Sequence, residues 1–424
     1  MKTYKILSFL FFLLMVIGCS NNSVDIDSKE DPKEDDKEVV EIDPLATIIP
    51  PNYETFKPPV AGEWFTDPVF GTQIKRLTDE QNILGWNGER AMFSADDKYF
   101  VIAVNSPFKL RLFDGKTGDF IRDLPVSSKD NSEFRWSYDP EMLVYPKKNK
   151  LMGYNVVTDE EYILVEFSED LGNNKGRLCG GDGNDFDDNG ELLLLNFGKR
   201  MFAYNLRTGE RGPEKDMTDY GKIDYCTVSP SGKYIVGTGD NGILLWNLDW
   251  TNERQLLPNN SHMDFGYLNG TEECLVSRIP GSGDGPLWWT EHGVDGNSFL
   301  TVRLSDGEIS ELLRSDRWFS PMYSAVRGSN KKYVCLAIPS HELNPAAEWY
   351  RYFGELVLVP LVGEQSEPIR LAHHRCRTPE GGSSFSNQPE AWLNHAGDRL
   401  FFRSNMGNFS EEAKHDLYMI DLDI

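Results

Sequence analysis

One strand–turn–strand unit recurs along this chain, and no other feature limits so strongly what the chain can fold into. It is clearest from Arg90 to Asp114. An apolar strand runs up to Phe93, an acidic turn follows at Ala95-Asp96-Asp97-Lys98, and strands from Tyr99 and up to Phe113-Asp114 complete an antiparallel meander. The same grammar returns at Phe134-Arg135-Trp136 ahead of Met142-Leu143-Val144-Tyr145, and at Phe186-Asp187-Asp188-Asn189-Gly190 ahead of Leu192-Leu193-Leu194-Leu195. Val228-Ser229-Pro230-Ser231-Gly232 leads to Tyr234-Ile235-Val236, and Leu268-Asn269-Gly270 leads to Cys274-Leu275-Val276. The last copies are Arg327-Gly328-Ser329 before Tyr333-Val334-Cys335-Leu336 and Asn394-His395-Ala396-Gly397 before Leu400-Phe401-Phe402, seven in all.

A repeat of roughly 40 to 65 residues with several strands per copy is the signature of a propeller blade, a small sheet that must bury both faces against neighbours. The spacing predicts an all-β chain folded as a seven-bladed β-propeller. Closure is readable as well. The seventh copy is one strand short and ends at Leu417-Tyr418-Met419-Ile420-Asp421, while an unclaimed strand, Gln73-Ile74-Lys75-Arg76-Leu77, precedes the first copy. That N-terminal strand is expected to complete the last blade, so that no sheet edge stays open there.

Lys2 and Lys5 precede an apolar run from Ile6 to Ile17 that is too short to span a bilayer and ends at Val16-Ile17-Gly18-Cys19. These four residues resemble the bacterial lipobox, which implies a signal peptide over 1–18 and lipidation of Cys19. Ser20 to Asp43 is crowded with Asp, Glu and Lys, and Pro44 to Pro59 is rich in proline. Residues 19–60 are therefore expected to be a solvated tether, with the propeller over 61–424. An acidic stretch soon after a lipidated cysteine is similar to that of surface-exposed lipoproteins of Bacteroidetes-like bacteria. The expected location is the outer membrane, at the cell surface, with its periplasmic face as the alternative.

A net charge of -24 over 424 residues makes nucleic acid and anionic membrane surfaces poor partners, leaving membrane contact to the lipid alone. The propeller is expected to be monomeric. Cys179, Cys226, Cys274 and Cys335 fall one per blade at strand positions, which argues for small buried residues rather than a disulfide framework. No Cys-x-x-Cys pair, glycine-rich phosphate loop or nucleophile elbow is present.

Propellers place function on loops around the central channel, and these lengthen in the last three blades, at Ile279 to Asn297, Ser340 to Gly354 and His373 to Asn387. Every histidine except His415 lies between His262 and His395, in the same third. Histidine is the side chain best placed for proton transfer near neutral pH.

Phe65-Thr66-Asp67-Pro68-Val69-Phe70-Gly71-Thr72-Gln73-Ile74-Lys75-Arg76-Leu77-Thr78-Asp79, the blade pattern, and Gln388-Pro389-Glu390-Ala391-Trp392 through Leu400-Phe401-Phe402-Arg403-Ser404-Asn405 resemble propeller-type polysaccharide lyases. The likeness is to oligogalacturonate lyases and, more loosely, to ulvan lyases. In that family a Gly-His-Pro-like turn carries the catalytic base where Ser261-His262-Met263-Asp264-Phe265 stands here, and a metal-binding glutamine stands where Gln388 does. Two departures follow. The family's next two metal histidines are absent after Gln388, and Phe319-Ser320-Pro321-Met322-Tyr323 offers none. The chain therefore either works without a cofactor or binds a divalent metal through His373, His374 and Cys376.

The implied chemistry is β-elimination on a uronate-bearing glycan. A base takes the proton at C5, charge builds on the adjacent carboxylate, and the group on C4 leaves, either a sugar or, at a chain end, a hydroxyl. His262 is the candidate base and Arg278 the candidate carboxylate partner, with His374 and Tyr323 as further catalytic candidates. His292, Trp288, Trp289, Arg375, Gln388, Arg90 and Arg135 are candidates for substrate binding. A non-catalytic glycan-binding propeller, with Trp288, Trp289, Trp349 and Tyr350 on its binding face, is the competing expectation.

Overall fold

The computed structural model describes residues 43, 45–53, 55–79, 83, 92–104, 108–125, 133–172, 177–180, 183–258, 263–278, 291–294, 298–316, 322–325 (main chain only), 332–338, 349–377, 389–407 and 414–423. Apolar runs that a one-faced sheet would leave half wet are wholly covered here. All six residues of Tyr99–Val104 are buried, whereas the outer strand Glu161–Glu166 has no buried residue. Burial on both faces near the axis and exposure at the rim are what a radial stack of sheets requires.

Seven antiparallel sheets make up the described chain, and together they form a seven-bladed β-propeller. Six of them keep sequence order from the axis outward, four of these with four strands, as in blade five: Met263–Leu268, Glu272–Arg278, Ser298–Arg303 and Ile309–Arg314. Blade one begins with a single bridge from Phe93 to Phe100 ahead of Tyr99–Val104, Lys109–Asp114 and Phe120–Leu124. Apolar clusters fill the junctions between consecutive blades, one of them spanning both sides of blade one. Leu195 and Phe202 meet Met142 and Val144, Cys226 and Trp246 meet Leu194 and Met201, and Phe265 and Leu275 meet Val236 and Leu245. Phe100 packs on Phe401 across the seam between blades one and seven, with ring centroids 4.6 Å apart.

The seam is closed as expected. Gln73–Arg76 pairs with Asp416–Asp421 in the register Ile74 to Ile420, and Arg76 Nη2 lies 2.7 Å from Asp416 Oδ2. A further strand not read from the sequence, Trp64–Thr66, adds a fifth to this blade.

Turns between the first and second strands are stitched to one another around one face. Asp97 accepts from the amides of His395 and Ala396 at 2.8 and 2.7 Å, Tyr138 N donates to Gly190 O, and Asp188 N donates to Pro230 O. Gly190 has φ 68°, and a Cβ there would meet Tyr138 N at 2.4 Å, so the turn needs glycine.

Two expectations need correction. Cys179 lies in a short 3-10 turn, Leu178–Gly180, rather than on a strand, although all five described cysteines are free and buried. The proline-rich stretch is not a solvated tether throughout. Pro50 and Tyr53 are buried, Arg370 Nη1 donates to Ala46 O at 2.8 Å, and Phe56 packs on Phe65. Apolar residues among the prolines supply contacts that composition alone hides. The signal and lipidation expectations, Cys19 included, lie outside the described residues.

The closing strand generates a first prediction. Ile74 is fully buried in the cluster joining blades six and seven, so Ile74→Ala should destabilise the fold by about 2–5 kcal/mol in urea unfolding. A loss below about 0.5 kcal/mol, the size of a surface change, would mean the seam does not depend on this strand.

Candidate functional site

Strict alternation of strand direction decides where the long loops go. The end of a blade's second strand, the start of its third, the end of its fourth and the start of the next blade's first all fall on one face. Connections after Arg278, after Ala337 and after His373 therefore emerge together, opposite the stitched turns.

Blade five places one candidate on this face directly. The register pairs Met263 with Ser277, so Arg278, the last residue of its strand, stands at the end where the chain arrives from His262. Arg278 is half-buried and lies opposite Phe299 on the third strand. On the loop that joins these strands, His292 is exposed and Val294 is buried, which anchors the loop to the blade-five cluster. His262, Trp288, Trp289, Gln388 and Arg90 lie outside the described residues. Tyr323 is described by its main chain alone, on the inner strand Met322–Ala325.

Arg135 lies on the inner strand of blade two but is not open to a ligand. It is 1% exposed, donates through Nη1 to Phe134 O at 2.8 Å and through Nε to Asn184 O, and pairs with Glu133 at 3.4 Å. A guanidinium so enclosed ties blade two to blade three. Sequence reading also missed its setting, a set of buried acids at the start of inner strands. Glu133, Asp185, Asp264 and Glu390 belong to blades two, three, five and seven. Asp185 and Asp264 each accept from the next residue's amide, at 2.8 and 2.7 Å, and Glu390 pairs with Arg403 at 3.3 Å. The signal was present as an acid just before an aromatic in three of the repeats, in Glu133-Phe134, Asp185-Phe186 and Asp264-Phe265. Two of these carboxylates are held by arginines, Glu133 by Arg135 and Glu390 by Arg403.

The run from His373 to Arg377, expected as a loop with catalytic or metal-binding potential, is packed inside. His373 sits between Asp67 and Glu355, at 3.5 and 3.8 Å, and stacks on Phe70. His374 is fully buried; its Nε2 meets Ile338 O at 2.6 Å and its Nδ1 accepts from Cys376 N at 3.0 Å. Cys376 Sγ lies 3.5 Å from His415 Nε2. Arg375 is 2% exposed, beneath Tyr53 and Phe56. The roles of acid for His374 and of open sugar contact for Arg375 are thus replaced by packing, because distant segments cover them.

A divalent metal does not fit these donors. His373, His374 and Cys376 turn to three different partners, and among the described residues no group of three or more His, Cys, Asp or Glu side chains is arranged to hold an ion. Burial also sets their protonation. It pushes the Cys376 thiol up to about 11 and, helped by Arg403, the His415 imidazole down to about 3, so both are neutral.

These features define a class by architecture, a seven-bladed propeller with one loop-bearing face. Comparison with solved structures agrees. The chain is similar to an oligogalacturonate lyase from Vibrio parahaemolyticus at 14% identity and TM-score 0.59, over 85% of this chain and 96% of that one. An oligogalacturonate lyase in complex with manganese is similar at 14% identity and TM-score 0.57, with the same coverage. Hydrazine synthase of Kuenenia stuttgartiensis is similar at 12% identity and TM-score 0.50, over 80% and 97%. At these identities the likeness is one of fold. No protein-family model matches the chain, and no curated protein does.

His415 yields a pH prediction with a definite sign. Its folded pKa is below the ordinary value, so the unfolded chain takes up a proton that the folded one refuses. Stability from this group is full above 6.5 and falls as pH drops towards about 3. Melting followed by circular dichroism should show Tm falling from pH 7 to pH 4, with a shallower slope in His415→Gln. Equal slopes in the two proteins would remove His415 from this account.

Proposed function

We propose that this protein is a carbon–oxygen lyase acting by β-elimination on uronate-bearing saccharides, sulfated algal ones included. The observation that carries the reading is the end of blade five, where Ser277 pairs with Met263, the residue that follows His262, Arg278 comes next as the last residue of its strand, and the loop leaving it carries the exposed His292. The likeness of fold to oligogalacturonate lyases supports the same chemistry.

His262 removes the C5 proton of a uronate held at the mouth, and the electron pair moves towards the carboxylate. Arg278 faces the charge that develops there, a task suited to a guanidinium fork. The C5–C4 double bond forms as the C4–oxygen bond breaks, and Tyr323 supplies the proton for the leaving oxygen. His292, Trp288 and Trp289 hold the sugar faces and Gln388 a hydroxyl. Expulsion of a hydroxyl from a terminal uronate follows the same steps.

The test is ultraviolet absorbance from the unsaturated uronate product over a panel of uronate oligosaccharides. His262→Ala and Arg278→Ala should each lower kcat/KM by about 10²- to 10⁴-fold, the span of one acid–base or charge-stabilising group. A second reading, a glycan-binding propeller without turnover, is favoured by the burial of His374 and Arg375. Binding across the panel with no absorbance change would establish it over the first.

The same proposal places the protein on the outer membrane through a lipid on Cys19. Cys19→Ala should move it from the membrane fraction to the soluble one; unchanged fractionation would reject the anchor.

A further inference from the structure

Among the buried arginines near the seam, Arg375 is unusual. Arg370 is gripped by both oxygens of Glu355 at 2.8 and 2.5 Å, Arg403 pairs with Glu390, and Arg135 pairs with Glu133. Arg375 is as deeply covered, yet among the described residues no carboxylate lies within ion-pair distance of it. Its hydrogen bond is a long one, Nη2 to Pro51 O at 3.4 Å, and its buried Nη1 has no partner. What covers it is apolar: the Phe56 ring at 4.3 Å and the Tyr53 ring at 5.9 Å, both from the proline-rich arm. The guanidinium of Arg377 also lies over the Tyr53 ring, 4.5 Å from its centroid.

An arginine hidden from water with no carboxylate in direct contact is a poor use of a charge if packing is its whole task. Burial pulls its pKa down, and the charge of Asp67, which lies beyond ion-pair distance, offsets this only in part. The backbone holds it there at φ 52°, in the left-handed region that non-glycine residues seldom occupy. The covering arm, by contrast, is loosely integrated. None of its described residues belongs to a strand, and its hydrogen bonds include local turns, Ala46 N to Asp43 O and Thr55 N and Phe56 N to Asn52 O, and side-chain donations from Arg370 and Arg375. Tyr53 leans edge-on against Trp349 at 4.9 Å, at the end of the long blade-six loop. The arm is thus fastened by rings and can lift without breaking a sheet.

We infer that residues 45–56 are a strap over a cryptic oxyanion site centred on the Arg375 guanidinium, and that a carboxylate- or sulfate-bearing saccharide end displaces the strap to reach it. The fork of Arg375 would then exchange a bent backbone contact and two ring faces for a bidentate anion. Anion docking here stands apart from the elimination reading, since it needs no turnover.

Hydrogen–deuterium exchange on the full chain tests it, with glucuronate, inorganic sulfate or chloride added at matched ionic strength. Glucuronate, sulfate or both should speed exchange of the strap amides several-fold while chloride does not, and Arg375→Met should abolish the difference. Which of the two acts tells whether the site takes a carboxylate or a sulfate. The Tyr53→Ala/Phe56→Ala protein should bind the active oxyanion at least about tenfold more tightly by calorimetry, about 1.4 kcal/mol. Strap exchange that ignores all three anions, or responds to chloride equally, overturns the inference and leaves an aromatic clamp. If the double variant does not fold, exchange in the unaltered chain decides.

Discussion

A small sheet with two apolar faces is stable only between two others, and that requirement runs through the whole molecule. Residues such as Val101, Leu195, Val236 and Leu358 are fully covered, and the covering atoms come from the next blade as much as from their own. An open row of such sheets would leave two wet apolar ends. A ring removes both, and it puts the load on one seam, where the strand around Ile74 must find the strand around Ile420.

Ring closure in turn sorts the connections by chemistry. Tight turns gather on one face and bond to one another through Asp97, Gly190 and Pro230, which leaves little freedom for insertion. The opposite face receives the connections after Arg278, Ala337 and His373, none of which is needed for sheet pairing. Length and unusual residues are tolerated there, so function gathers there. The acids Glu133, Asp185, Asp264 and Glu390 are buried at or next to the starts of inner strands.

Much of the fold was legible because its causes are local. Turn residues, runs of buried β-formers and their recurrence act over a few residues, and even the closing strand announced itself as one with no blade of its own. The site was legible in part. Arg278 and His292 reach the expected face because their positions follow from strand ends. His374 and Arg375 were misread because a polar run between strands looks solvated when taken alone. Their covers are Ile338, Ser404, Tyr53 and Phe56, which lie far away in sequence.

Sequence by itself determined the number of blades, the strand that shuts the ring, the face that carries long loops and the candidates at the end of blade five. Those properties depend on periodicity and on chain direction, which are written residue by residue. Tertiary structure alone decided which charges meet water. It folded a proline-rich arm over one arginine, enclosed another between blades and turned three expected metal ligands towards three separate partners. Burial is a property of what comes to lie on top, and that is set by segments hundreds of residues apart, as in the contact of Ala46 with Arg370.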